Sequence, residues 1–284
     1  MKNLLAAVLF LLPVPLSAQQ LWSSDYPGSS LSVEYLHPSF QKQVFGSYSG
    51  FVLLFSGRIA VAEDVHLSAE FPYVGTTVDM AYVNYLYDPS TGQYTFIQQR
   101  TKESRSTIGN LSVGVEFGSA ESKGRFRVTI PTISEDQTGS AIAGLLGDLW
   151  NQERYAAKLL GIAGGYTYQP VFQNGLGVMF GISPFLWIPV GINEGGRDTE
   201  FSVDYAAGVG YRGEWLKVGL GLGGRMLLTE DEWINGKKAL HFFKAESDFR
   251  IGILQPGISV RLPLDREVSN ILGSTIAFRV QVLM

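Results

Sequence analysis

The sequence predicts an all-β protein, a transmembrane antiparallel β-barrel of about twelve strands. Three observations lead there. Apolar and polar residues alternate with period two over many short segments, tight turns take turns with long loops, and an apolar leader opens the chain. In lipid every backbone N–H and C=O must be satisfied internally, so only helices and closed barrels cross it, and dispersed alternation leaves the barrel.

Residues 1–18 hold one basic residue (Lys2), an apolar run over 4–12, helix-breaking Pro13 and Pro15, and small Ser17 and Ala18. This predicts a cleaved secretory signal, leaving 19–284 as one barrel domain. The run falls short of the roughly 20 residues that span a bilayer, and no other stretch is longer. With no cysteine in the chain, neither a disulfide scaffold nor a lipid attachment site of the lipoprotein type is available.

Strands are predicted near 30–38, 50–63, 65–73, 106–118, 123–133, 158–171, 175–190, 200–213, 215–229, 239–253, 256–264 and 273–284. Tight turns fall at Glu63-Asp64, 119–122, 172–174, Gly213-Glu214 and Gln255-Pro256, where Gly, Pro, Asn, Ser or acidic residues supply turn chemistry. Long connections fall at 39–49, 74–105, 134–157, 191–199, 230–238 and 265–272. Short periplasmic turns and longer outer loops are the barrel rule, so both termini are expected in the periplasm. Segments 82–87 and 94–99 flank Asp88-Pro89-Ser90-Thr91-Gly92 and read as a hairpin above the membrane; counted as spanning, it would raise the total to fourteen strands. Ile142, Leu145, Leu146, Leu149, Ala156 and Leu160 recur at helical spacing, predicting a short helix in the 134–157 loop. Thr138 or Ser140 would cap it, while Gly144 and Gly147 weaken it. It is either a plug or a helix packed on the rim, and the rim is the expectation.

Parity then sorts the wall. Leu216, Val218, Leu220 and Leu222 face lipid while Lys217, Gly219, Gly221, Gly223 and Arg225 face inward; Val203–Tyr211 and Ile276–Met284 repeat the pattern. Asp204, Arg212 and Arg279 thus point inward, and the same parity adds Glu34, Arg58, Glu70, Glu116, Arg125, Arg127, Lys244, Glu246, Asp248, Arg250 and Arg261. These charges, Glu34 and Glu70 aside, are the pore-lining candidates. On the inner wall ten basic residues face six acidic ones, which gives a mild preference for anions if the pore is open and a web of ion pairs if it is closed. A two-residue Gly213-Glu214 turn would set Gly208 against Gly219 and Ala206 against Gly221 as a strip without side chains. Tyr35, Tyr73, Phe117, Tyr168, Phe172, Trp187, Tyr211, Trp215 and Trp233 lie near strand ends, as interfacial girdles require.

Little chemistry is left for catalysis. His37, His66 and His241 share no metal-ligand spacing, and without cysteine no zinc site and no cofactor is expected. A lipid hydrolase would need one of these histidines beside a serine and an acid at the rim, and no catalytic residue is assigned. The run from Gly219 to Gly224 lies inside a strand and opens no helix, so it is no dinucleotide fingerprint. A net charge of −4 and a pI near 5.5 exclude nucleic acid as a partner.

The whole pattern resembles the bacterial outer-membrane β-barrel superfamily. Gly124-Arg125-Phe126-Arg127-Val128-Thr129-Ile130-Pro131-Thr132, followed by the loop helix, is similar to the strand-then-Pro-Thr segment of barrels grouped with the phenol-degradation pathway, usually regarded as importers of small organic molecules. The resemblance implies outer-membrane lipid and the barrel-assembly machinery as partners. In place of the terminal aromatic that this machinery recognises in many members, the chain has Met284. Passage of a small solute is the expected function, with a closed structural or surface-binding barrel as the alternative and lipid hydrolysis behind both.

Overall fold

The computed structural model describes residues 27–41, 46–191, 198–229 and 237–284. The leader and Trp233 lie outside them. Thirteen strands form one antiparallel sheet: β1 (Ser30–Phe40), β2 (Gly46–Ala62), β3 (Val65–Asp88), β4 (Gln93–Ile108), β5 (Leu111–Gly118), β6 (Ser122–Ile130), β7 (Leu159–Tyr168), β8 (Leu176–Pro189), β9 (Glu200–Arg212), β10 (Leu216–Leu227), β11 (Ala239–Phe249), β12 (Leu254–Pro263) and β13 (Leu272–Leu283). Pairing of β1 with both β2 and β13, and of β3 with both β2 and β5, closes twelve of them into a ring. Closure leaves no open sheet edge within the ring, as lipid demands.

The exception is β4, which pairs only with β3, from Tyr73↔Ile108 to Asp88↔Gln93. The expected 106–118 strand breaks at Gly109-Asn110, where β5 takes over the lower part of β3. The hairpin therefore rises beyond the ring, and twelve rather than fourteen strands span.

The five short turns between neighbouring strands of the ring lie at the end where β1 begins and β13 ends, opposite the 89–92 turn of the β3–β4 hairpin. Three differ from expectation; the β7–β8 connection runs over 169–175 rather than 172–174. Arg212 pairs with Lys217, so the β9–β10 turn holds four residues instead of two and slides the register: Gly208 opposes Gly221 and Gly210 opposes Gly219. The β11–β12 turn occupies 250–253 rather than Gln255-Pro256, because Arg250 donates its N–H to the Trp215 carbonyl and Gln255 already pairs with Gln281. Arg250 thus leaves the wall and stands exposed at the mouth.

Parity holds around the ring. Phe126, Phe180, Val209, Leu220, Leu222, Phe278 and Val280 form an exposed apolar belt, while Arg127, Asp204, Arg225, Lys244 and Arg261 are buried. At the short-turn end Phe117, Tyr168, Phe172, Tyr211, Trp215 and Phe249 are exposed as one aromatic girdle. Trp187 does not join it; it lies on the inward parity of β8 and is buried in the lumen with Phe185.

Leu222→Arg, at the middle of β10 on the lipid face, should cost about 2–4 kcal/mol of folding stability. Urea titration of the folded barrel in lipid checks this; an unchanged midpoint would contradict the outward assignment.

Candidate functional site

The 131–158 connection does not pack on the rim. It folds into the lumen as the helix α1 (Thr138–Gly147) and a tight helical stretch over Leu149–Arg154. A single tight turn over Glu135–Gln137, where the Ser134 N–H donates to Gln137 Oε1 at 3.3 Å, leads into α1, so the helix is capped by Gln137 and not by Thr138 or Ser140. Lys158 pairs with Glu135 at 2.9 Å and ties the two ends of the segment together. By sequence, Gly144 and Gly147 count as weak points of α1. They are what lets it fit: a Cβ on Gly144 would stand 2.3 Å from the Tyr155 ring, and one on Gly147 would stand 2.8 Å from Pro38 of β1.

The plug has an apolar half and a charged half. Ala141, Ala143 and Tyr155 pack on Leu36, Val52, Leu54 and Val74 of β1–β3, and Leu149 and Trp150 pack on Leu240, Phe242 and Leu272. Two wall threonines fix the helix backbone: Thr76 Oγ1 donates to the Ser140 carbonyl and Thr275 Oγ1 to that of Gly147, at 2.7 and 2.8 Å. Beyond α1 comes the charged half. Glu153 accepts from Arg127 Nη2 at 2.8 Å and from Arg225 Nη1 at 3.1 Å. Asp148 accepts from Arg261 Nη1 at 2.6 Å, from Asn151 at 2.9 Å and from the Tyr155 hydroxyl at 3.2 Å. Arg154 reaches out the other way, to Glu70 on β3.

The wall arginines are themselves held in place. Asp204 takes Arg225 in a two-pronged pair, and the guanidinium lies 5.0 Å from the Phe185 ring centre and 5.4 Å from that of Trp187. Arg261 sits likewise between Trp150 of the plug and Phe242, at 5.2 and 5.3 Å. A flat guanidinium can take carboxylates at its edge and rings on its faces at once. Burial raises the pKa of the Asp148 carboxyl, but Arg261 and Arg154 beside it more than offset this and leave it below the usual carboxylate range. Burial, followed by the Asp148 charge, pushes the Tyr155 phenol well above its ordinary value. Asp148 is therefore ionised and Tyr155 neutral at neutral pH.

Asn110, at the β4–β5 break, anchors the return of the plug to the wall. Its Nδ2 donates to the carbonyls of Glu153 and Ala156, both at 2.7 Å, and its Oδ1 accepts from the N–H groups of Thr132 and Ile133. Strand parity could reveal none of these plug residues, because it stops at strand ends. One signal was present in the sequence. Ten wall cations against six wall acids require further carboxylates, and Asp148 and Glu153 supply two of them.

The other pore-lining candidates form a layer between the plug and the short-turn end. Arg58 and Arg125 share Glu116, Lys244 bonds Glu246 at 2.7 Å, and Arg279 bonds Asp248 at 2.5 Å. Small voids of about 70 and 10 Å³ lie among them. The predicted surplus of lumenal positive charge is thus largely consumed in ion pairs at this level. Arg212 and Lys217 lie lower still and, with Arg250, border a chamber of about 550 Å³ at the mouth. Of the histidines, His66 faces inward and lies 2.7 Å from the Pro27 carbonyl, while His37 is outward beside Tyr35. His241 faces out near the loop end, with its Nδ1 3.1 Å from Asp265.

No family model and no curated protein matches the sequence. Solved structures do. An outer membrane channel from Pseudomonas putida F1 aligns over 95% of this chain and 100% of its own, with a TM-score of 0.60 at 11% identity. LpxR from Salmonella typhimurium aligns over 90% and 100%, with a TM-score of 0.50 at 12% identity. Together with the apolar belt, this likeness identifies the fold as that of bacterial outer-membrane barrels.

Glu153→Gln would leave Arg127 and Arg225 buried with one carboxylate fewer, a change that typically costs about 3–5 kcal/mol. Hydrogen exchange over 138–156 should accelerate while the strands stay protected; equal protection in the variant would refute the charged seat. Because the Asp148 pKa is lowered, its stabilisation holds above the usual carboxylate range and fades only as pH falls through its own lower value. Exchange of the plug, corrected for the intrinsic rate, should therefore be the same at pH 7 and pH 5.

Proposed function

We propose that the chain is a gated outer-membrane channel for small solutes, seen with its gate closed and its termini on the periplasmic side. The observation that carries this is that a single loop segment, and not the girth of the ring, fills the upper lumen. Rings of eight strands are filled by their own side chains, while sixteen to eighteen leave an aqueous channel. Twelve strands enclose a bore that here admits a helix, and what admits a helix admits a small molecule once the helix leaves. The likeness to an outer membrane channel supports the same reading.

A second reading, a closed surface-binding barrel, draws on the outer part of the β3–β4 hairpin, Ala81↔Arg100 to Asp88↔Gln93, which extends past the last β2–β3 pair at Gly46↔Met80. Lipid hydrolysis stands behind both: His241 Nδ1 lies 3.1 Å from Asp265, and such a role would need a serine brought beside that pair at the rim.

Replacing residues 137–155 with a short Gly/Ser linker separates the two main readings. The folded variant, reconstituted in liposomes, should swell them rapidly in small solutes while the intact protein swells them slowly. A variant that remains as tight as the intact protein would favour the closed barrel.

A further inference from the structure

The Glu153 carboxylate of the plug occupies a seat that the wall builds without it. Glu153 is fully buried and takes one N–H from each of two wall arginines, Oε1 from Arg127 on β6 and Oε2 from Arg225 on β10. Neither arginine depends on the plug for its place. Asp204 holds Arg225 through Nε and Nη2, and Glu70 lies 3.7 Å from Arg127 Nη1. With the plug withdrawn, each arginine therefore keeps a wall carboxylate and has one N–H to spare. The charge balance of the bore shifts the same way. Residues 138–155 carry Asp148, Glu153 and Arg154, so their departure leaves the bore one unit more positive. Even with the plug seated, Arg127 Nη1 and Arg261 Nε are buried without a hydrogen-bond acceptor among the described residues.

We propose that the seat of Glu153 is a solute site for a small monocarboxylate with an apolar body, and that the plug closes the bore by presenting the same group. Two N–H donors, one for each oxygen, match a planar carboxylate. A neutral amide would turn its NH2 group toward one guanidinium and be refused. The apolar body follows from the wall beside the seat, where the Arg225 guanidinium lies over the Phe185 and Trp187 rings and Leu159 and Ala163 pack against them. Solute and plug then compete. A carboxylate held between Arg127 and Arg225 excludes Glu153, so the solute favours the withdrawn plug by its affinity for that state alone. The inference rests on the gated-channel reading, since it needs a plug that leaves its seat.

The test is hydrogen exchange over 138–156 in the intact, detergent-folded barrel at pH 7, with butyrate, butyramide or butylammonium at equal ionic strength made up with sodium chloride. Butyrate reproduces the glutamate side chain from Cα to carboxylate, and the other two replace its charge by none or by the opposite one. Exchange of the plug should rise with butyrate concentration and ignore the other two, while the strands stay protected. Arg127→Gln and Arg225→Gln each remove one donor, and each should raise the butyrate concentration needed for a given acceleration by about tenfold, the scale of one charge-assisted hydrogen bond. Any loosening of the plug by the substitution itself appears in the butyrate-free rate, and protection of the strands reports folding in the same experiment. No acceleration by butyrate, an equal acceleration by butyramide, or a response that both substitutions leave untouched would overturn the proposal. If butyrate acts as described but the 137–155 replacement stays tight in liposomes, the channel reading fails and the site stands; if that variant conducts and butyrate has no effect, the reverse holds.

Discussion

Hydrocarbon offers no partner for a peptide group, and every level of this structure answers to that constraint. The sheet must close, because each free edge would leave a column of unpaired N–H and C=O groups in lipid. Closure fixes two parities, and the outer one must be apolar. The inner parity is then where charge can go, and the chain places its wall arginines, lysines and carboxylates there. The lumen is thus charged as a consequence of the wall being stable in lipid, before any question of a solute arises.

A charged lumen shielded from bulk water sets a second constraint. A buried ion that has lost its hydration needs a partner of opposite sign and further hydrogen bonds. In the middle layer the strands supply their own, Arg58 and Arg125 on Glu116, Lys244 on Glu246 and Arg279 on Asp248. Higher up the plug completes the pairing: Arg261 finds its carboxylate on the plug, Arg127 divides itself between Glu70 of the wall and Glu153 of the plug, and Arg225 between Asp204 of the wall and Glu153. Plug and wall are therefore one electrostatic unit, although no strand pairing joins them.

The wall was legible in the sequence because strand periodicity is local. Leu216–Leu222 or Ile276–Met284 state their facing by alternation alone, and the hairpin above the membrane followed from Asp88-Pro89-Ser90-Thr91-Gly92. Turn lengths were less legible. Gly213-Glu214 looked sufficient for a hairpin, yet Arg212 and Lys217 are the last pair, so four residues make the bend. The plug was hidden for another reason. Its contacts join residues as distant as Asp148 and Arg261, or Glu153 and Arg225, and loops have no period from which such contacts could be read. Trp187 misled in the same way: near a strand end it suits a girdle, and only its position over Arg225 shows why it turns inward.

The two halves of the plug contribute differently to its seating. Ion pairs taken out of water gain little net free energy, since lost hydration offsets most of the attraction. If the plug withdrew, Arg127, Arg225 and Arg261 would face a wet bore, and Asp148, Glu153 and Arg154 would be hydrated as well, so the charged half costs little to open. Retention then falls to the apolar half, where Ala141, Ala143, Leu149 and Trp150 leave water on seating. What the ion pairs contribute is position. Each plug carboxylate has its arginines on particular strands, Glu153 between β6 and β10 and Asp148 on β12, and a helix displaced by one turn would bury all of them unmatched. An apolar surface lacking such pairs could slide; with them, the plug has one register in which it closes the bore.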